Sequence, residues 1–248
     1  MKKVIFLLMS LFVYPSWGST TLEDADNAYM QENYQAAAEL YEEALQNGTN
    51  ADVYYNLGNA YYRLKDMGKA VLNYERALVL DPGNEDIRYN LDICESKLVD
   101  QFNKPSEMFF ITWLKDLVYS KNADDWGILG VVFFVLLFFF WGLYRYGHAI
   151  VLRKMGFFIA LMFLLLSILT NIAAAFAYWK YTDDSRAVIV VESPFYKGSN
   201  DKEEPLRTLN PGTTVDVIQE NSKGWWEIVL PNGKKGWIEQ DRAIKVKA

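Results

Sequence analysis

The chain holds one cysteine, Cys94, and one histidine, His148. These two residue types most often supply nucleophiles, proton shuttles and metal ligands near neutral pH. A single Cys makes neither an intramolecular disulfide nor a CxxC redox pair. One His and one Cys do not by themselves complete a zinc site. The sequence shows no Ser-His-Asp set, no GxGxxG turn, no Walker loop and no HExxH pair. Glu42 with Glu43 and Glu203 with Glu204 are adjacent acids. A solvated face explains them better than the paired carboxylates of a hydrolase. The expectation is a non-enzymatic protein with no catalytic residue, metal or cofactor. The net charge is −6, and no run of Lys and Arg stands out, so nucleic acid is not an expected partner. Cys94 sits in a helical pattern and reads as a small buried side chain.

Residues suited to recognition lie on a repeated helical frame. YQAAAELYEEAL (34–45) aligns with MGKAVLNYERAL (67–78), matching Ala37 with Ala70, Tyr41 with Tyr74 and Ala44 with Ala77. Tyr55-Asn56-Leu57 recurs as Tyr89-Asn90-Leu91. Within 51–84, Tyr54, Leu57, Gly58, Tyr61, Ala70, Tyr74, Ala77 and Pro82 stand at the spacing of a helix pair. This pattern resembles the tetratricopeptide repeat. Gly58 and Ala70 let two helices approach closely, while the tyrosines and leucines fill the space between them. Pro82 ends one helix, Asn47-Gly48 ends another, and Asn84 caps a closing helix running to about Phe102. Two repeats and a closing helix are expected over 19–102. Carried over by repeat position, the concave lining is Tyr29, Tyr55, Asn59, Tyr62, Arg63, Tyr89 and Lys97. Such a surface suits an extended peptide or a partner's helix. The other reading is that these residues report only the fold, because YYNLGNAYYRLKD is close to the average repeat.

Two long apolar runs follow. Residues 126–144 and 156–179 carry no charge and are long enough to span a bilayer. The second is about 36 Å as a helix against a hydrocarbon core of about 30 Å, so tilt is expected. Trp126, Trp141, Tyr144, Tyr178 and Trp179 bracket the runs. The connecting segment 145–155 carries Arg145, Arg153 and Lys154 and no acid, whereas Asp124, Asp125, Asp183 and Asp184 flank the outer ends. That asymmetry puts the loop in the cytoplasm and both termini outside. Residues 1–18, with Lys2 and Lys3 before an apolar core and Ser16 and Gly18 near its end, read as a signal peptide; a retained anchor is the alternative. Ser167, Thr170 and Asn171 are neutral polar residues expected to hydrogen-bond to the first span, with Gly127 and Gly130 allowing close approach. No Asp, Glu, Lys or Arg lies inside either run, which argues against a pump or channel. The stretch 103–125 interleaves Phe109, Ile111, Trp113, Leu114 and Leu117 with Glu107, Lys115 and Asp116. It reads as an amphipathic helix on the membrane surface, or else as a linker helix on the repeat domain.

From Arg186 the pattern turns to short strands and Gly-bearing turns: AVIVV, TTVDVIQ, WWEIVL, KKGWIE and AIKV. GWWEIVLPNGKKGWI resembles the bacterial SH3 family, and a small barrel over 186–248 is expected. The resemblance places Trp225 in a ligand groove. Glu239 stands where a groove for Pro-rich peptides needs Pro, and no Tyr follows, so recognition of PxxP is not expected. The alternative is that Trp225 packs under the loop 197–204.

The fold class is therefore multidomain: an all-α helical repeat, a two-helix transmembrane hairpin and a small all-β SH3-like barrel. This order over the whole chain resembles the BatE family, the E proteins of the aerotolerance (Bat) operon. The resemblance implies an inner-membrane protein with both soluble domains in the periplasm. It implies an adaptor working among Bat-type envelope proteins, including von Willebrand A domain proteins and a MoxR-type ATPase, with a link to oxygen tolerance. The lipid bilayer is a partner on this reading, and peptidoglycan is the alternative ligand, through the SH3-like domain.

Overall fold

Asparagine and aspartate side chains start the helices. Asn33, Asn50, Asp66, Asn84 and Asn122 each accept a hydrogen bond from a backbone amide in the following turn. The computed structural model describes residues 19–102, 108–199 and 204–247. The signal-peptide expectation for 1–18, and the first residues of the linker, lie outside the described residues. Five helices form the repeat region: α1 (Ser19–Met30), α2 (Tyr34–Gln46), α3 (Ala51–Arg63), α4 (Met67–Leu80) and α5 (Glu85–Lys97). Glu32 and Lys65 occupy equivalent turns, after α1 and after α3, with φ of 61° and 68°. The internal repeat thus extends to an uncommon backbone conformation.

Three buried tyrosines stitch successive helices. The Tyr41 hydroxyl donates to Asp26 at 2.6 Å, Tyr61 donates to Glu42, and Tyr74 donates to Asn59 at 2.7 Å. Burial raises all three phenols above their usual pKa, so each stays a donor. Glu42 is thereby part of the helix stack. Gly58 leaves room for the Tyr74 ring, whose carbons lie 2.7 Å from where a Cβ would sit. The closing helix stops at Lys97, before the expected Phe102, because Leu98 turns extended. Gln101 then donates its side-chain amide to the Glu95 and Leu98 carbonyls at 3.0 and 2.9 Å. The strap 98–102 is freed to cross to the β domain.

After the strap come α6 (Phe109–Val118), α7 (Ala123–Tyr146) and α8 (Ile150–Thr182). Helices α7 and α8 form an antiparallel hairpin, each long and apolar enough to cross a membrane. Both extend past the uncharged runs into the charged flanks, leaving only 147–149 as the loop. Ser167 Oγ donates to the Gly130 carbonyl at 3.0 Å. Thr170 and Asn171 instead bond to carbonyls of their own helix, while packing where a Cβ on Gly130 would be. Gly127 makes no close approach; Gly156, against the backbone of Phe140 and Tyr144, does so at the loop end.

The chain then forms β1 (Arg186–Ile189), β2 (Ser193–Phe195), β3 (Arg207–Leu209), β4 (Thr214–Glu220), β5 (Trp225–Val229), β6 (Lys235–Glu239), a 3₁₀ turn and β7 (Ala243–Lys245). The main sheet is antiparallel in the order β6-β5-β4-β1-β7. Strands β2 and β3, absent from the sequence expectation, pair with each other and meet β6 through a Tyr196–Trp237 bridge. Gly236 has no side chain, so the Phe195 ring lies beneath β6 and fills the barrel.

Gly58→Val should destabilise the repeat region by about 1–3 kcal/mol through overpacking. The loss is read as a lower thermal midpoint by circular dichroism. Cys94 is fully buried, and burial pushes its thiol up to about 11. At pH 8 only about one thiol in a thousand is then ionised. Iodoacetamide should label the folded protein very slowly at pH 8, faster as pH approaches 11, and fastest once the protein is unfolded.

Candidate functional site

The first helix of each repeat presents one face, and cross-helix contacts organise it. Asn90 on α5 donates to the Tyr55 hydroxyl at 3.1 Å and to Asn59 Oδ1 at 2.9 Å, both on α3. Asn59 also accepts from Tyr74. Nearer the helix C-termini, Lys97 donates to the Tyr62 hydroxyl and lies 4.9 Å from its ring centre. Arg63 lies 5.7 Å from the Tyr34 ring centre, and Tyr29 packs edge-on against Tyr34 at 5.2 Å. A hydrogen bond to Tyr29 raises the Arg63 guanidinium above its usual pKa. Six of the expected lining residues are thus joined in three clusters along α1, α3 and α5. Tyr89 stands outside these clusters, 67 % exposed. Asn90 and Tyr34 are members that position alone did not single out. The face offers tyrosine rings, an amide centre and two cations, which suits a peptide with polar and acidic groups.

The second face is on the β domain. Alternation along β5 and β6 turns Trp225, Glu227, Trp237 and Glu239 outward, with Trp225 opposite Glu239 and Glu227 opposite Trp237. Tyr196 packs edge-on against Trp225 at 5.5 Å. It comes from the segment after β2, far in sequence from the last strand. Glu239 is held by Arg242 Nε at 3.1 Å. Trp225 is half-buried, and its backbone amide donates to Asn221 at 3.0 Å.

The two modules are joined. Asp100, on the strap after α5, is buried with its side chain 3 % exposed. Its carboxylate accepts from Arg207, from the Asn210 backbone amide at 2.6 Å, from the Asn210 side chain at 3.3 Å and from Thr213 at 2.9 Å. Arg207 also lies over the Phe102 ring at 4.9 Å. Elsewhere in the joint, Arg186 Nη1 donates to both oxygens of buried Glu75 at 2.9 and 3.2 Å. Glu75 raises the Arg186 guanidinium above its usual pKa. Arg76, its pKa lowered by burial, donates to the carbonyls of Val246 and Lys245. Val188 and Val246 belong to the core of the helices, and Phe102 packs into the core of the barrel. Gly212, at φ 95°, fits a turn against Leu98, and a Cβ there would overlap the leucine. Gly68 similarly admits the end of β1, with the Ile189 carbonyl oxygen 3.1 Å from its missing Cβ.

The same joint reaches the hairpin. Arg88 donates to the carbonyls of Pro82 and Tyr119, and Trp126 Nε1 donates to the Val118 carbonyl at 2.8 Å. Helix α8 ends three residues before β1 (Thr182 to Arg186). Both modules therefore sit at one end of the hairpin.

The tetratricopeptide repeat family model matches residues 51–84, and the bacterial SH3 domain model matches residues 196–242. The chain is thus similar to two kinds of interaction module. Comparison with curated proteins and with solved structures found no match.

Removing the Asp100 carboxylate should loosen the joint. Asp100→Ala leaves several donors without their acceptor and should cost about 3 kcal/mol. Hydrogen exchange at the Asn210 amide reads this directly: slow in the parent and fast in the variant, with the barrel's central amides still protected.

Proposed function

We propose that the chain is a non-enzymatic, two-pass adaptor of a bacterial inner membrane, displaying both modules to the periplasm. The observation that carries the reading is the hairpin. Its apolar side chains stay exposed along nearly its whole length, with Ile128, Val135, Phe139, Phe158, Leu165 and Leu169 among them. A soluble protein covers such a surface, whereas a bilayer satisfies it. The Arg145, Arg153 and Lys154 cluster at the loop end supports a cytoplasmic loop. Helix α6 leaves Phe109, Phe110, Trp113 and Leu114 uncovered next to α8, as an interfacial helix does.

On this reading the groove lined by Tyr55, Asn59, Tyr62, Arg63 and Lys97 takes a peptide or helix from another envelope protein. The whole-chain resemblance to the Bat operon's E proteins supports von Willebrand A domain proteins as partners and oxygen tolerance as the setting. Two faces held on one anchor raise the effective concentration of whatever they bind. A second reading is favoured by the outward Trp225–Tyr196 pair: the β domain binds peptidoglycan, laying a sugar ring on the aromatic surface.

Cross-linking in intact cells, followed by mild-detergent extraction, separates the readings. Envelope proteins should co-purify with the parent and with Trp225→Ala, and be lost from Tyr55→Ala/Asn59→Ala/Arg63→Ala. Wall fragments retained through Trp225, with no protein partner, would replace the adaptor reading with the second.

A further inference from the structure

We infer that the junction between the hairpin and the two modules binds one anionic phospholipid, its phosphodiester held by Lys121, Lys180 and Lys247. The inference rests on the membrane reading above and adds a ligand to it. A cleft of about 490 Å³ opens where α4, the α6–α7 turn, the end of α8 and the β domain meet. That volume is within the range of small-molecule sites, about 300–1,000 Å³. The cleft lies at the hairpin end ringed by Trp126, Tyr178 and Trp179, the level that headgroups occupy.

The charges around the cleft are unequal in their partners. Arg186 and Glu75 satisfy each other. None of the three lysines has a carboxylate within ion-pair distance: among the described residues, none of the ion pairs includes Lys121, Lys180 or Lys247, and Lys180 feels Glu75 and Asp116 only from further off. Lys180 Nζ lies 4.2 Å from the Tyr119 ring centre. Lys247 Nζ donates to the Tyr181 carbonyl at 2.9 Å and lies 4.7 Å from that residue's ring centre. The aromatic rings hold both ammonium groups at the cleft while leaving donor hydrogens free for an oxyanion. The remaining acids are Asp183, which accepts from the Ser185 amide at 3.0 Å, and Asp216. With four cations and three carboxylates lining the cleft, one negative charge balances it. Beside these groups and the polar Asn122 and Ser185, the lining has an apolar part that includes Leu78, Val79, Ile218 and the small Ala177. Ile218, on β4, is exposed at this wall of the cleft. A headgroup at the lysines would send its acyl chains down the hairpin past Ala177. A free phosphate would leave the apolar wall uncovered.

The test uses the full chain in mild detergent. Dioleoylphosphatidylglycerol, dioleoylphosphatidylcholine and glycerol phosphate are added separately, and bound lipid is counted by native mass spectrometry. Phosphatidylglycerol should bind near-stoichiometrically and raise the melting midpoint. Lys180→Gln/Lys247→Gln should weaken that binding about tenfold, and Lys180→Arg/Lys247→Arg should retain it. Equal binding of the two lipids, or no loss in the Gln variant, overturns the site. Equal stabilisation by glycerol phosphate overturns the lipid as its ligand. Alkaline carbonate extraction keeps the two ideas apart. A chain that stays in the membrane pellet but shows no lipid preference defeats this site alone. A chain released by carbonate defeats the membrane reading and the site with it.

Discussion

The structure depends on one buried carboxylate. Asp100 leaves water almost entirely, and among the described residues its oxygens are satisfied by groups of the β domain. A carboxylate buried without those donors is strongly unfavourable. The strap after α5 therefore has no comfortable intermediate state. Either the barrel is docked and Asp100 is bonded four ways, or the strap is open to solvent. Glu75 repeats the logic on α4, where Arg186 neutralises it. Apolar packing of Val188, Val246 and Phe102 across the same joint supplies the non-directional part of the attraction.

Docking turns two modules into one body with two faces. The face of α1, α3 and α5 and the Trp225–Tyr196 face of the barrel are then held at a fixed separation. A ligand contacting both meets a preorganised pair, without the ordering cost of a flexible linker. The joint also ties both modules to the hairpin, through Arg88 and Tyr119 on one side and the short link from α8 to β1 on the other. On the proposed membrane reading, this sets the height and orientation of both faces above the bilayer.

The sequence announces whatever is local and periodic. Tyr41, Tyr74, Ala37 and Ala70 mark the helix pairs because packing between neighbouring helices repeats with the chain. The apolar runs announce the hairpin by length alone, and Asn84 announces the start of α5. Long-range chemistry is silent. Asp100 is one acid in LVDQFN, and its partners lie more than a hundred residues away. The end of α5 moves for the same reason, since the strap follows the barrel and not helix propensity. Strands β2 and β3 escape notice because three residues, one of them Pro194, show no alternation. Of the candidate site, Tyr55, Asn59, Tyr62, Arg63 and Lys97 are legible from repeat position. Asn90, Tyr34 and Tyr196 are not, because each enters through a contact made in three dimensions.

The central claim is that the two modules move as one. Spin labels at Glu43→Cys on α2 and Lys223→Cys in the β4–β5 turn, both exposed, report the distance between them. The buried Cys94 stays unlabelled. Pulsed electron spin resonance of the full chain in lipid nanodiscs should give a single narrow distance distribution, and Asp100→Ala should broaden it. A broad distribution in the parent protein would contradict the account, since it would describe two modules hanging independently from one anchor.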